Sequence, residues 1–205
     1  NVKNEISKIV ESEKCCSFAE LSALIKMTGT ILLGDNNGIG IRLSTENAAI
    51  ARRMFVLLKN LFNIQTKVMM RKNRQLKKNN TYTLMVDSKE NPKAVLVNLQ
   101  ILDKGPNGYS INQRIPGDMI KKECCKRAYL RGVFLGGGSI SHPERTYHLE
   151  IVANNKEYAE DIRDLINTYD LNAKIVLRKK SYVVYLKEGE SLADFLKVIG
   201  AHNAL

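Results

Sequence analysis

A helix-like stretch occurs twice in this chain, 109 residues apart, and that repeat leaves few folds open. Cys15-Cys16-Ser17-Phe18-Ala19-Glu20-Leu21-Ser22-Ala23-Leu24-Ile25-Lys26-Met27-Thr28-Gly29-Thr30-Ile31 aligns without a gap on Cys124-Cys125-Lys126-Arg127-Ala128-Tyr129-Leu130-Arg131-Gly132-Val133-Phe134-Leu135-Gly136-Gly137-Gly138-Ser139-Ile140. Vicinal cysteines, Ala, Leu, a small residue, two apolar residues, Gly, a hydroxyl and Ile recur in order. A period near half of 205 residues implies two copies of one unit, facing each other across a pseudo-two-fold axis.

The periodicity around each copy supports this. In the first half a helix over about Cys16–Met27, with Gly29 as its C′ residue, leads to apolar runs at Thr30–Leu33 and Ile39–Leu43. Asp35-Asn36-Asn37-Gly38 between those runs marks a hairpin. Ser44 to Asn47 offer caps for a helix running to Phe62, with Ile50, Met54, Leu57, Leu58 and Leu61 on one stripe. Strands follow at Thr66–Arg71 and Tyr82–Val86, then a helix at Pro92–Leu99. The second half repeats the order, and Lys67/Lys174, Val68/Ile175 and Arg71/Arg178 sit 107 apart. Each half reads αββαββα, an α+β unit with a four-stranded antiparallel sheet. The organisation is a first repeat over 1–101, a linker over 102–118 rich in Gly, Pro, Asn and Asp, and a second repeat over 119–205. Val2, Ile6, Ile9 and Val10 have the spacing of a short additional helix at the start.

Composition narrows the function classes. No apolar run approaches the ~18 residues of a membrane span. The net charge of +11 and pI near 9.5 point to an acidic partner, most commonly nucleic acid. Residues 1–100 carry +8 and residues 101–205 only +3, so a polyanion feels the first half more strongly. Asn1 and the stop after Leu205 read as the ends of a piece of something longer.

Leu130-Arg131-Gly132-Val133-Phe134-Leu135-Gly136-Gly137-Gly138 resembles the nine-residue signature of the LAGLIDADG homing endonucleases. That resemblance implies two signature helices side by side at the pseudo-two-fold axis, and two sheets forming a saddle over duplex DNA. Gly132 and Gly136 lie four apart on one helical face, where a partner backbone approaches closely. Ala23 and Met27 stand opposite them in the first copy, so the interface is expected to be tight in the middle and more filled at one end. The endonucleases carry a carboxylate at the eighth signature position of each helix to hold divalent metal against the scissile phosphates. Here those positions are Thr28 and Gly137, and the sixth positions are Lys26 and Leu135. Asp35 and Glu144 remain on the hairpins, at different offsets and in solvated turns. The expectation is a nuclease scaffold with no catalytic residues and no cofactor.

A narrower resemblance covers essentially the whole chain. Glu123 to Ser139, Tyr147-His148-Leu149-Glu150-Ile151, Ser44-Thr45-Glu46-Asn47-Ala48-Ala49, Arg71-Lys72-Asn73-Arg74 and Ile199-Gly200-Ala201-His202-Asn203-Ala204-Leu205 are similar to the bacterial WhiA regulators. That family joins a degenerate homing-endonuclease domain to a C-terminal helix-turn-helix domain, absent from this chain. It acts in sporulation, or in cell division and chromosome segregation. The resemblance implies a cytoplasmic, nucleoid-associated transcriptional regulator that binds double-stranded DNA without cutting it. Two alternatives stay open: a protein-interaction platform that modulates the missing domain, and an active metal-dependent endonuclease. No small-molecule substrate is implied.

DNA contact is expected at the densest charge, Arg71, Lys72, Arg74, Lys77 and Lys78 on one hairpin, and at its shorter counterpart, Arg178, Lys179 and Lys180. Arg42 and Lys67 face outward on strands if the alternation holds. The bland alternative is a solvated basic turn. His142, His148 and His202 have no ligand or triad spacing. The pairs Cys15-Cys16 and Cys124-Cys125 lie at equivalent points near the starts of the two central helices. Adjacent helical cysteines point about 100° apart, so both in a pair are not expected to reach one ion. Reduced buried thiols are the preferred reading, with bound zinc or a disulfide as alternatives.

Overall fold

The computed structural model describes residues 1–73, 79–141 and 146–204. The first half comprises α1 (Val2–Ile6), α2 (Lys14–Thr28), β1 (Gly29–Leu33), β2 (Ile39–Thr45), α3 (Ala48–Phe62), β3 (Lys67–Lys72), β4 (Asn80–Val86) and α4 (Pro92–Asn98). A hairpin, β5 (Leu102–Gly105) and β6 (Gly108–Ile111), follows it. The second half comprises α5 (Glu123–Gly137), β7 (Gly138–Ser141), β8 (His148–Ala153), α6 (Lys156–Asn167), β9 (Lys174–Arg178), β10 (Ser181–Leu186) and α7 (Gly189–Val198). The αββαββα repeat is present in both halves. The sheets are four-stranded and antiparallel, in orders β1-β2-β4-β3 and β7-β8-β10-β9.

The two central helices are buried nearly all round, with Ala19–Ile25 and Ala128–Leu135 forming unbroken buried runs. A helix enclosed on every side must carry apolar residues on every side. Their contacts keep one offset along their length. Cys16 meets Cys125, Ala23 lies against Gly132 and Met27 against Gly136. A constant offset of 109 means that α2 and α5 run parallel and in register, as the pseudo-two-fold axis requires. Each helix passes directly into the first strand of its sheet, so both sheets lie at the same end of the pair.

The flanking helices α3 and α6 bury one stripe each and start at equivalent asparagines. The Asn47 side chain accepts from the amides of Ala49 and Ile50, and that of Asn155 from Tyr158. Between the halves, residues 112–120 run from the β5–β6 hairpin back to α5. Arg114 there ties the segment to α6 through a bidentate pair with Asp161.

The structure departs from the sequence reading at three places. The first helix stops at Ile6, and Val10 is 89% exposed. Gly29 is extended (φ −91°), not a left-handed cap residue, because α2 runs straight into β1. A side chain at Gly29 would collide with the Ile25 carbonyl and crowd Leu43. Third, the linker contains the regular β5–β6 hairpin, with its turn at Gly108 (φ 120°).

Candidate nucleic-acid interface

Strand alternation gives each sheet an inner face, packed on helices at its central strands, and an outer face, while the inner-side Val68 and Met70 on the edge strand β3 stay exposed. In the first sheet Ile41, Leu43, Leu84 and Val86 point inward and are buried. Cross-strand register then assigns the outer face. Thr30, Arg42, Met85 and Lys67 form one row, Ser44, Thr83 and Met69 the next, and Thr81 and Arg71 the third. Arg42, Lys67 and Arg71 therefore share one surface, all three exposed. Among the described residues their side chains form no ion pair, and no carboxylate stands in these rows. Lys72 pairs with Asn80 and has the opposite parity, so it belongs to the other side of β3. Arg74, Lys77 and Lys78 lie outside the described residues, as do His142 and Glu144.

The outer face of the second sheet is built on the same register but includes a carboxylate, Glu150. Ser139, Glu150, Tyr185 and Lys174 form a row, with Val152, Val183 and Val176 beside it. Arg178 turns its fork onto Glu150, with both nitrogens 3.0 Å from carboxylate oxygens. That pair holds the guanidinium in its charged form and raises its pKa, through the hydrogen bond first and the charge of Glu150 second. Lys179 (φ 57°) and Lys180 occupy the two-residue tip between β9 and β10 and are exposed. Glu150 and Lys174 were not singled out from the sequence as site residues. Parity along β8 and β9 would have found both.

At the sheet end of the helix pair lie Thr28 and Gly137, which the resemblance aligns with the carboxylates of the endonuclease signature. Thr28 Oγ1 donates to the Leu24 carbonyl at 2.7 Å. Gly137 faces Met27, and a Cβ built on Gly137 overlaps Met27 Cε and lies 3.1 Å from the Val152 carbonyl. The end of the Met27 side chain thus occupies the place of a Cβ at Gly137 and has to shift for any side chain there. Gly136 is equally committed, since its Cβ would lie 2.5 Å from Met27 Cβ. Gly132 rests against the Glu20 carbonyl, and its Cβ would come within 2.8 Å of Ala23 Cβ. The Thr28→Asp/Gly137→Asp double variant is expected to lose about 1–3 kcal/mol from overpacking. A urea melt measures that loss. With Met27 still in place the variant is expected to leave supercoiled plasmid intact in Mg²⁺.

Lys26, at the sixth signature position, reaches sideways. Its ammonium donates to the Asn112 carbonyl at 2.7 Å and the Arg114 carbonyl at 2.5 Å, and sits 4.7 Å from the Tyr158 ring centroid. Burial lowers its pKa to about 8. It lines a cavity of about 370 Å³, together with Met27, Gln113 and Asn155.

Deeper in the pair lies an ionic network that the sequence did not announce. The fully buried Glu20 receives Arg53 at 2.6 and 3.1 Å and Arg131 at 3.5 Å, while Arg131 also pairs with Glu11. Burial pushes the Glu20 carboxyl up, and Arg53 and then Arg131 pull it back. Arg131 Nε donates to the Ile199 carbonyl, as its repeat equivalent Ser22 donates to that of Leu99, both at 2.8 Å.

At the opposite end of the same helices the four cysteines come together. Their sulfurs all lie within 4.8 Å of one another, with Cys16 and Cys125 4.0 Å apart. The expectation that vicinal cysteines diverge from a common point therefore fails here. Residues about 100° apart on a helix straddle the helix–helix seam, and the pseudo-two-fold axis brings the partner pair to the same seam. Burial pushes the Cys16 thiol well above its ordinary range and that of Cys125 up to about 12.

Residues 14–102 match the family model described as the WhiA N-terminal LAGLIDADG-like domain. Residues 126–205 match the WhiA LAGLIDADG-like domain. A "Probable cell division protein WhiA" of Alkaliphilus metalliredigens is 51% identical over 205 residues, covering 100% of this chain and 65% of that protein. A protein of the same name in Clostridium botulinum strain Hall is 50% identical over 204 residues, covering 100% of this chain and 64% of that protein. The chain thus spans slightly under two thirds of these relatives. Among solved structures, the N-terminal LAGLIDADG domain of DUF199/WhiA superposes with a TM-score of 0.76 at 21% identity, covering 100% of this chain and 90% of that one. Full-length DUF199/WhiA from Thermatoga maritima gives 0.71 at 21% identity, covering 98% and 61%. I-DmoI in complex with DNA and Mn gives 0.59 at 14% identity, covering 93% and 99%. At these identities the structural likeness shows a common fold.

Proposed function

The chain belongs to the WhiA family, and on that premise we propose that it is the non-catalytic, DNA-associating part of a bacterial cell-division regulator acting through transcription. The observation that carries the reading is the outer face of the β1-β2-β4-β3 sheet, where Arg42, Lys67 and Arg71 stand together without carboxylates. Three charges in one plane suit the phosphates of a duplex, and phosphate contacts position a protein without reading sequence. The fold relative I-DmoI is described in complex with DNA, and the LAGLIDADG resemblance implies that the sheets form the saddle over a duplex. Cutting is not part of the proposal, because Thr28 is turned back onto its own helix and Gly137 is covered by Met27. Double-stranded DNA is the partner, and the bacterial nucleoid is the place of action.

A second reading has its own observation. Met69 (55% exposed) and Val176 (40%) lie on the outer faces, where apolar side chains suit a protein partner better than phosphate. On that reading the saddle regulates the rest of the protein without touching DNA.

Fluorescence anisotropy on a labelled duplex, titrated with salt, separates the two. The triple variant Arg42→Gln/Lys67→Gln/Arg71→Gln is expected to flatten the log-affinity against log-salt slope by about 0.9 for each phosphate it no longer neutralises. Wild-type affinity and slope in the variant would exclude this face as the DNA surface. No binding by the wild type at low salt would favour the protein-interaction reading.

A further inference from the structure

We propose that Cys15, Cys16, Cys124 and Cys125 form a tetrathiolate site for one divalent metal ion, with zinc as its occupant, which clasps the N-terminal ends of the two central helices. The inference is independent of DNA binding and rests on where the fold puts four sulfurs. A tetrahedral zinc with Zn–S bonds of about 2.3 Å places its sulfurs about 3.8 Å apart. Here all four lie within 4.8 Å of one another, and the inner pair is separated by 4.0 Å. The cage is thus wider than the coordinated one by at most about 1 Å, within the reach of small χ1 adjustments. Four sulfurs at this spacing surround one ion and leave no room for a polynuclear cluster between them. Four protein ligands also close the shell, the pattern of a structural site and not of a catalytic one.

The surroundings fit a negatively charged tetrathiolate. Both pairs lie in the first turns of their helices, α2 starting at Lys14 and α5 at Glu123. Neither N-terminus has a side-chain cap, so the positive ends of both helix dipoles lie at the end of the pair that carries the sulfurs. Lys122 Nζ stands 3.8 Å from Cys15 Sγ and also donates to Glu13 at 3.2 Å, while the Cys15 thiol donates to the same carboxylate. On metal binding the four thiols release their protons to solvent, and Lys122 remains as the cation beside the site. Cys124 is exposed and Cys15 half-buried, which gives the ion a way in, while Cys16 and Cys125 are closed off by the helices.

A disulfide is the weaker use of the same geometry. Joining Cys16 to Cys125 requires closing 4.0 Å to about 2.05 Å, and it would leave the convergence of Cys15 and Cys124 without a purpose. The clasp sits about 20 Å along the helices from the sheets, given a rise of about 1.5 Å per residue. It therefore fixes the pairing of the two repeats at the end farthest from the outer sheet faces.

The test is a cobalt titration of the reduced, chelator-treated protein. One equivalent is expected to bind with thiolate-to-metal charge transfer and the intense visible bands of tetrahedral cobalt, and zinc should displace it. Cys124→Ser, at an exposed position, is expected to keep the fold by circular dichroism while losing the four-sulfur spectrum and binding at least about 10-fold more weakly. Lys122→Ala should keep the spectrum and weaken binding by about 10-fold, as for a residue next to a metal ligand. Failure of the wild type to bind cobalt or zinc with its four thiols free would overturn the proposal. So would a spectrum that Cys124→Ser leaves unchanged, or a Cys16–Cys125 disulfide in protein isolated under reducing conditions.

Discussion

Gly132→Val is expected to destabilise the protein by at least about 3 kcal/mol, at or beyond the upper end of ordinary overpacking. Any Cβ at position 132 strikes the Glu20 carbonyl, which belongs to backbone, and approaches Ala23 Cβ within 2.8 Å. Neither atom can swing aside as the end of a flexible side chain can. Relief requires α2 and α5 to separate. Their separation would loosen Ala23, Leu24, Leu130 and Val133, all fully buried, and would pull Met27 from its seat over Gly136 and Gly137. Gly132→Ala is expected to cost less, because it adds one methyl group to the same collision. Gly189→Ala, at the start of α7, is the matched control. Nothing lies within 4 Å of a Cβ there, so the change should be neutral or stabilising by up to about 1 kcal/mol. Urea unfolding of the three variants gives the comparison, and an unchanged midpoint for Gly132→Val would mean that the helices do not meet at this glycine.

Glu20→Ala is the second large effect, expected to cost about 3–5 kcal/mol, the range for removing one partner of a buried ion pair. Glu20 is fully buried, and the side chains of Arg53 and Arg131 are each only 9% exposed. Removing the carboxylate leaves Arg53 with the Ile9 carbonyl alone and Arg131 with Glu11 and the Ile199 carbonyl. The variant therefore loosens four elements at once: α2, α3, α5 and the segment that follows α1. Glu11→Gln should cost less, because Arg131 keeps Glu20 and Ile199. Replacing Glu20, Glu11 and both arginines by apolar residues of similar volume should recover much of the loss, since Glu11 pairs with Arg131 and what costs is the unpaired charge and not the absence of the network. Thermal unfolding of the single and quadruple variants distinguishes these outcomes.

The parallel helix pair was legible because a buried helix must repeat its small and apolar residues to meet its twin, and the 109-residue offset records that contact. The strands were legible from alternation, and register follows once Ile41 and Leu43 are taken as inward. This places Arg42 outside and, through pairing, Lys67 and Arg71 with it. Lys72 could not be separated from Arg71 without that register, since the two are neighbours in an exposed basic run. The ionic network was hidden because Glu20 and Arg131 are single charges in apolar stretches, with partners 33 and 111 residues distant for Glu20. The thiol cluster was half legible. Equivalent cysteine pairs were plain, but their convergence depended on where the helix–helix seam passes, which a single helix does not specify. Thr28 and Gly137 could be read at the positions that the resemblance aligns with the carboxylates of the signature, while the crowding of Gly137 by Met27 required coordinates.

The central claim is that DNA lies on the outer face of the first sheet. Photo-crosslinking tests it most directly, with a benzophenone side chain placed at Thr83, on that face beside Met69, or at Asn60, exposed on α3 on the other side of the sheet. Illumination with a duplex at low salt is expected to join DNA to the protein labelled at position 83 and to leave the protein labelled at position 60 free. Crosslinks from position 60 with none from position 83 would contradict the account.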